Sequence, residues 1–85
     1  MQVLIIDRSL QIVERLSNLL LESGVPMSIT KAVSYPEAIA LTKDMQPDLV
    51  LIDRHLPNGQ SIRLLGIFKE RKSVVIMLTM RVDND

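Results

Sequence analysis

Three oxygen-bearing side chains stand directly after short apolar runs: Asp7 after Val3 to Ile6, Asp53 after Leu49 to Ile52, and Thr79 after Val74 to Leu78. A carboxylate in such a place can be a nucleophile, a ligand for a hard cation or a structural cap, and a hydroxyl can contact an anion. If the first and third runs are neighbouring strands, Asp7 and Asp53 converge on one crevice. Two carboxylates sharing a site must shift pKa, lose a charge or recruit a cation. Hard oxygens of this kind suit Mg²⁺. Any one acidic residue at a strand end is as readily a cap or a solvated charge, and only the three positions together favour a site.

The elements that would position these residues follow from the change of hydrophobic period along the chain. Val3 to Ile6 is a continuous, largely β-branched run, which suits a strand buried on both faces. Ser9 can cap a helix from about Ser9 to Ser23, with Ile12, Leu16, Leu19 and Leu20 on its apolar side and Gly24 at its stop. Met27 to Val33 alternates as a half-exposed edge strand. Ser34 and Glu37 form a capping box in which Glu37 reaches back to the Ser34 amide, and Ala38, Leu41 and Met45 give the next helical stripe until Pro47 ends it.

Leu49 to Ile52 is again a buried strand. After Asn58-Gly59, the spacing of Ile62, Leu65 and Phe68 predicts the buried face of a third helix, with Lys69, Arg71 and Lys72 near its end, where cations suit the dipole. Gly66 inside that helix costs about 1 kcal/mol relative to Ala. Val74 to Leu78 reads as a fourth buried strand. Strands alternate with helices, so right-handed crossovers onto a parallel sheet are expected, and ligands of such sheets gather outside the carboxyl ends of the strands.

With 85 residues and no internal repeat or linker, the chain reads as one domain, 1–85. Apolar residues make up 47% and there is no Cys, so a packed core is expected without disulfides or thiolate metal sites. Lys plus Arg and Asp plus Glu number ten each, which removes a general electrostatic case for nucleic acid or anionic lipid. No apolar run is long enough for a signal peptide or membrane span. The expectation is a cytoplasmic protein that binds neither nucleic acid nor membrane.

The stretches "VLIIDRS", "PDLVLIDRHLPNGQSIRLL" and "VVIMLTM" resemble the receiver domain of bacterial two-component response regulators. The resemblance runs over essentially the whole chain but does not include the family's last helix, strand and helix. It implies a flavodoxin-like α/β fold, a parallel sheet with helices on both faces and four strands in the order 2-1-3-4. It further implies that Asp53 is the phosphoacceptor, that Thr79 contacts the phosphoryl group, and that Asp7, Asp53 and the backbone carbonyl of His55 are the Mg²⁺ ligands. Pro57 also falls at a family position. The phosphoryl donor would be a sensor histidine kinase, a phosphotransfer protein or a small phosphodonor, and a two-component or phosphorelay role follows.

Departures from the family pattern qualify that chemistry. Arg8 stands where the family has a second acidic metal ligand, so Mg²⁺ should bind weakly or not at all, and the guanidinium is expected to pair with Asp7 or Asp53 as a partial substitute. Ser61 replaces a usual Gly and Gln60 a frequent acidic residue. Met80 takes a small-residue position and would crowd Asp53. Without the family's fifth strand, the strand 74–78 becomes an unblocked apolar edge, which predicts a homodimer through that edge or by exchange of elements. The competing function is a phosphorylation-independent interaction or dimerisation module. An enzyme is not expected, since the loop Asp7-Arg8-Ser9-Leu10 has neither a glycine-rich phosphate cradle nor a second carboxylate two residues after Asp7, and Ser9 and His55 have no evident triad partner.

Overall fold

The structure, a computed structural model, describes residues 1–79. The expectations for Met80 and for the polar tail 81–85 lie outside the described residues. Seven elements alternate: β1 (Gln2–Ile6), α1 (Leu10–Leu21), β2 (Ser28–Ala32), α2 (Tyr35–Leu41), β3 (Leu49–Asp53), α3 (Gln60–Glu70) and β4 (Val74–Leu78). The strands form one sheet in the order β2-β1-β3-β4, and every pairing is parallel. That is the order expected from the sequence.

The central strands are apolar on both faces because helices cover both. Val3, Ile5 and Leu51 point to the α1 side and pack with Val13, whereas Leu4, Ile6, Val50 and Ile52 point to the other and pack with Ala38 of α2 and Leu64 and Phe68 of α3. Alternation along a strand thus divides one hydrophobic run between two cores. Phe68 fills the second core despite the chain's poverty in aromatics.

Two expectations about packing are corrected. On α3, the inward stripe is Ser61, Leu64 and Phe68, not Ile62, Leu65 and Phe68: Ile62 is 67% exposed. The polar Ser61 is buried because it braces the preceding loop, so a search for apolar spacing alone selects the wrong phase. On β4, burial is one-sided. Val75 and Met77 face the α2 and α3 core and Leu78 the α1 core, but Val74 and Ile76 are 63% and 44% exposed, since α1 packs over β1 and β2.

Helix ends follow the local chemistry with small shifts. The Ser9 hydroxyl accepts from the Ile12 amide, and the Ser34 hydroxyl from that of Glu37. Glu37 closes the box one residue earlier than expected, accepting from the amide of Val33 rather than Ser34. α2 stops at Leu41, before the Met45 limit read from the stripe, where the Thr42 hydroxyl donates to the Ile39 carbonyl. Arg71, at the end of α3, donates to the Thr42 carbonyl and ties the two helix ends together.

The phase of α3 can be tested by mutation. Leu64→Ala should cost about 2–5 kcal/mol in urea denaturation, as for a fully buried leucine, while Ile62→Ala should change stability by no more than about 0.5 kcal/mol. Comparable losses at both positions would contradict the assignment of the inward face.

Candidate functional site

The site is built by strand register. Ile6 pairs with Ile52, so the residues that follow, Asp7 and Asp53, leave neighbouring parallel strands at the same rim. Such strands run roughly 4.8 Å apart. On the other side Asp53 pairs with Leu78, which puts Thr79 one residue further along that rim, exposed to solvent. All three positions singled out in the sequence therefore reach the carboxyl edge of one sheet. Both residues are buried, at 4% exposure for Asp7 and 9% for Asp53.

Both aspartates fold their own loops in the same way. Asp7 Oδ1 accepts from the Ser9 amide at 2.8 Å, and Asp53 Oδ1 accepts from the His55 amide at 2.8 Å. Each is an Asx turn, in which the side chain imitates a backbone acceptor and bends the chain off its strand. The cap role and a chemical role are thus compatible, because each carboxylate has a second oxygen. Among the described residues, Oδ2 of Asp7 and Oδ2 of Asp53 accept no hydrogen bond.

Sequence reasoning gave Ser61 only a minor place in the loop and helix start. Its buried hydroxyl donates to the Asp53 carbonyl at 2.6 Å and accepts from the Leu56 amide at 3.1 Å. Those two bonds pin the loop to the start of α3. The chain between them turns through Asn58 and Gly59, whose φ values of 58° and 70° lie in the left-handed region that asparagine and glycine tolerate best. The only signal in the sequence was a small hydroxyl residue just after that turn.

Arg8 differs from its expected partnership. Its guanidinium makes no ion pair with Asp7 or Asp53 among the described residues; Nη2 instead donates to the His55 backbone carbonyl at 3.1 Å. Arg8 follows Asp7, and His55 lies two residues after Asp53, so the bond joins the two loops that carry the carboxylates. His55 contributes through its backbone, and its side chain is solvent-exposed.

The donor set does not fit Mg²⁺ well. A divalent ion of that size wants close octahedral oxygen coordination at about 2.0–2.1 Å. Among the described residues the rim supplies two carboxylates by register, Asp7 and Asp53, no group of three or more His, Cys, Asp or Glu residues is gathered, and the carbonyl of His55 accepts from the positively charged Arg8.

Electrostatics favour a proton on Asp7. Burial pushes its carboxyl above the usual range, the Asp53 charge adds to the rise, and the Ser9 amide and the Arg8 charge oppose it. The folded chain therefore holds the Asp7 proton more tightly than the unfolded chain does. The resulting stabilisation is complete below the ordinary Asp range and is lost as pH rises through the elevated folded value. Asp7→Asn, which keeps the oxygen that accepts from Ser9, should raise the thermal midpoint at pH 7, with the gain shrinking as pH falls into the Asp range. A lower midpoint at pH 7 would contradict the cause assigned here.

No curated protein matches the chain in sequence. Among solved structures it is similar to the signal receiver domain of an HD domain-containing protein from Pseudomonas fluorescens Pf-5, with 28% identity and a TM-score of 0.78 over 98% of this chain and 66% of that one. It is similar to the receiver domain of NtrC4 from Aquifex aeolicus at 27% identity, with a TM-score of 0.69 over 98% of this chain and 69% of that one. The chemotaxis response regulator CheY4 of Vibrio cholerae, at 21% identity, shares the fold with a TM-score of 0.77 over 96% of this chain and 70% of that one. The chain thus spans 66–70% of the length of these solved chains. The description "response regulator receiver domain" matches residues 3–85, and with the parallel sheet and the paired carboxylates at its rim this places the chain in the response regulator receiver domain family.

Proposed function

We propose that residues 1–85 act as one receiver-type module of two-component signalling, in which Asp53 accepts a phosphoryl group. The observation that carries this is the state of the Asp53 carboxylate: it is buried at the sheet rim, its Oδ1 is engaged by the His55 amide, and its Oδ2 accepts nothing among the described residues. Oδ2 would attack phosphorus, forming a P–O bond. The bond to the leaving group would break in the same exchange, its electron pair going to the nitrogen of a phosphohistidine or to the carboxylate oxygen of acetyl phosphate. Thr79 is the candidate hydroxyl contact for the bound phosphoryl group, and the added charge would be read by neighbouring loops.

Receiver domains bind Mg²⁺ at their acidic pocket. Here Asp7, Asp53 and the His55 carbonyl are the candidate ligands, with binding weak or absent because Arg8 brings a positive charge to the same place. The donors would be a sensor histidine kinase or a phosphotransfer protein. The module is acted upon rather than turning over a substrate of its own. Balanced charge favours neither nucleic acid nor an anionic membrane as partner, and no helix among the described residues is long and apolar enough to cross a membrane. A cytoplasmic location is consistent with the family.

A second function, phosphorylation-independent self-association, is favoured by one observation: β4 pairs on one side only among the described residues and leaves Val74 and Ile76 exposed. A homodimer formed through this edge or by exchange of elements would pair the open side of β4 and extend the face that carries them.

Two measurements separate the functions. Incubation with acetyl phosphate should give a mass gain of one phosphoryl group that disappears in Asp53→Asn; no gain at high donor would overturn the phosphoacceptor role. Light scattering on the eluting protein should give a dimer mass that Ile76→Lys reduces to that of a monomer, and a monomer at high concentration would exclude self-association.

A further inference from the structure

We propose that the Arg8 guanidinium is the resident cation of the Asp7 and Asp53 crevice, so that this rim binds an anionic phosphoryl group without a divalent metal. The proposal rests on Asp53 being the phosphoacceptor and adds what neutralises the charge there.

The geometry is specific to this chain. Arg8 is attached to the loop that Asp7 folds, and it donates to the carbonyl of His55, whose own amide is held by Asp53. One side chain thus spans the mouth between the two carboxylate loops. A guanidinium carries five N–H donors in a planar fork, and only one bond, from Nη2 to His55, is made among the described residues. The remaining donors can meet the oxygens of a phosphoryl group, a match that favours Arg wherever such oxygens are bound in pairs. Arg8 is exposed, so packing does not explain its position. Arg54, which follows Asp53, is also exposed but makes no side-chain hydrogen bond across the rim among the described residues.

A metal and this arrangement compete for the same carbonyl. The His55 carbonyl has two lone pairs, and a divalent ion taking the one that Arg8 leaves would have the guanidinium standing beside it. Two such cations a few ångströms apart repel strongly in a partly buried site. The carboxylates, in contrast, gain a permanent counter-charge that needs no uptake from solution.

Amide NMR with Mn²⁺ as a paramagnetic probe tests this on the full chain, alongside acetyl phosphate labelling with Mg²⁺ or with EDTA. The native protein should show no selective broadening at residues 7, 53 and 55 at low millimolar Mn²⁺, and its labelling rate should be unchanged by EDTA. Arg8→Glu, which supplies the missing oxygen ligand, should gain selective broadening at those amides and become Mg²⁺-dependent. Arg8→Ala should label more slowly than native in EDTA, by on the order of tenfold or more, as when one preorganised donor is removed. Dispersed spectra of both variants would show that they fold. Selective Mn²⁺ broadening in the native protein, or native labelling that requires Mg²⁺, would overturn the assignment. Failure of the native protein and of both variants to be labelled would instead overturn the phosphoacceptor role of Asp53, while the Mn²⁺ maps would still decide the role of Arg8.

Discussion

Asp7 and Asp53 meet because Ile6 pairs with Ile52 in a parallel ladder, and a parallel ladder ends both strands at the same edge. Helices leave that edge on both sides of the sheet, so the aspartates sit in a crevice with limited access to water. The Asp53 charge placed this way raises the cost of ionising Asp7, whose burial raises it further. Much of what surrounds them answers that cost: an amide on one oxygen of each carboxylate, a guanidinium across the mouth, and a proton held more tightly than usual on Asp7.

The rest of the molecule makes this unfavourable rim tolerable. Apolar side chains of β1 and β3 enter two separate cores, and both strands are flanked on each side by other strands, so the floor of the site is the best-packed part of the fold. Ser61 then fixes the loop after Asp53 by bonding to its carbonyl and to the Leu56 amide. Rigidity near Asp53 comes from this buried hydroxyl and the two left-handed residues of the turn, and rigidity near Asp7 from the Asx turn and the Ser9 cap.

Much of this was legible in the sequence for physical reasons. Continuous apolar, largely β-branched runs announce buried strands, and the oxygen-bearing residue closing each run marks the carboxyl edge, so Asp7, Asp53 and Thr79 could be placed together from the sequence. Period was a poorer guide where a polar residue turned inward: Ser61 displaced Ile62 from the buried stripe of α3 because its hydroxyl had backbone partners. β4 was equally apolar to the eye as β3, yet its burial depends on what lies over it, which no local pattern records. The partner of Arg8 was missed for a similar reason. An acceptor that is a backbone carbonyl 47 positions away leaves no trace in residue type.

Coupling between the two carboxylates is the point on which the account stands, and the titration of Asp7 reads it directly. The Asp7 side-chain carboxyl should be followed by ¹³C NMR across the acid range in the native protein and in Asp53→Asn. In the native protein the midpoint should lie above the ordinary Asp range, and removing the Asp53 charge should move it down. An Asp7 midpoint in the ordinary range would contradict the burial assigned to it, and one unmoved by Asp53→Asn would mean that the two side chains do not share a crevice.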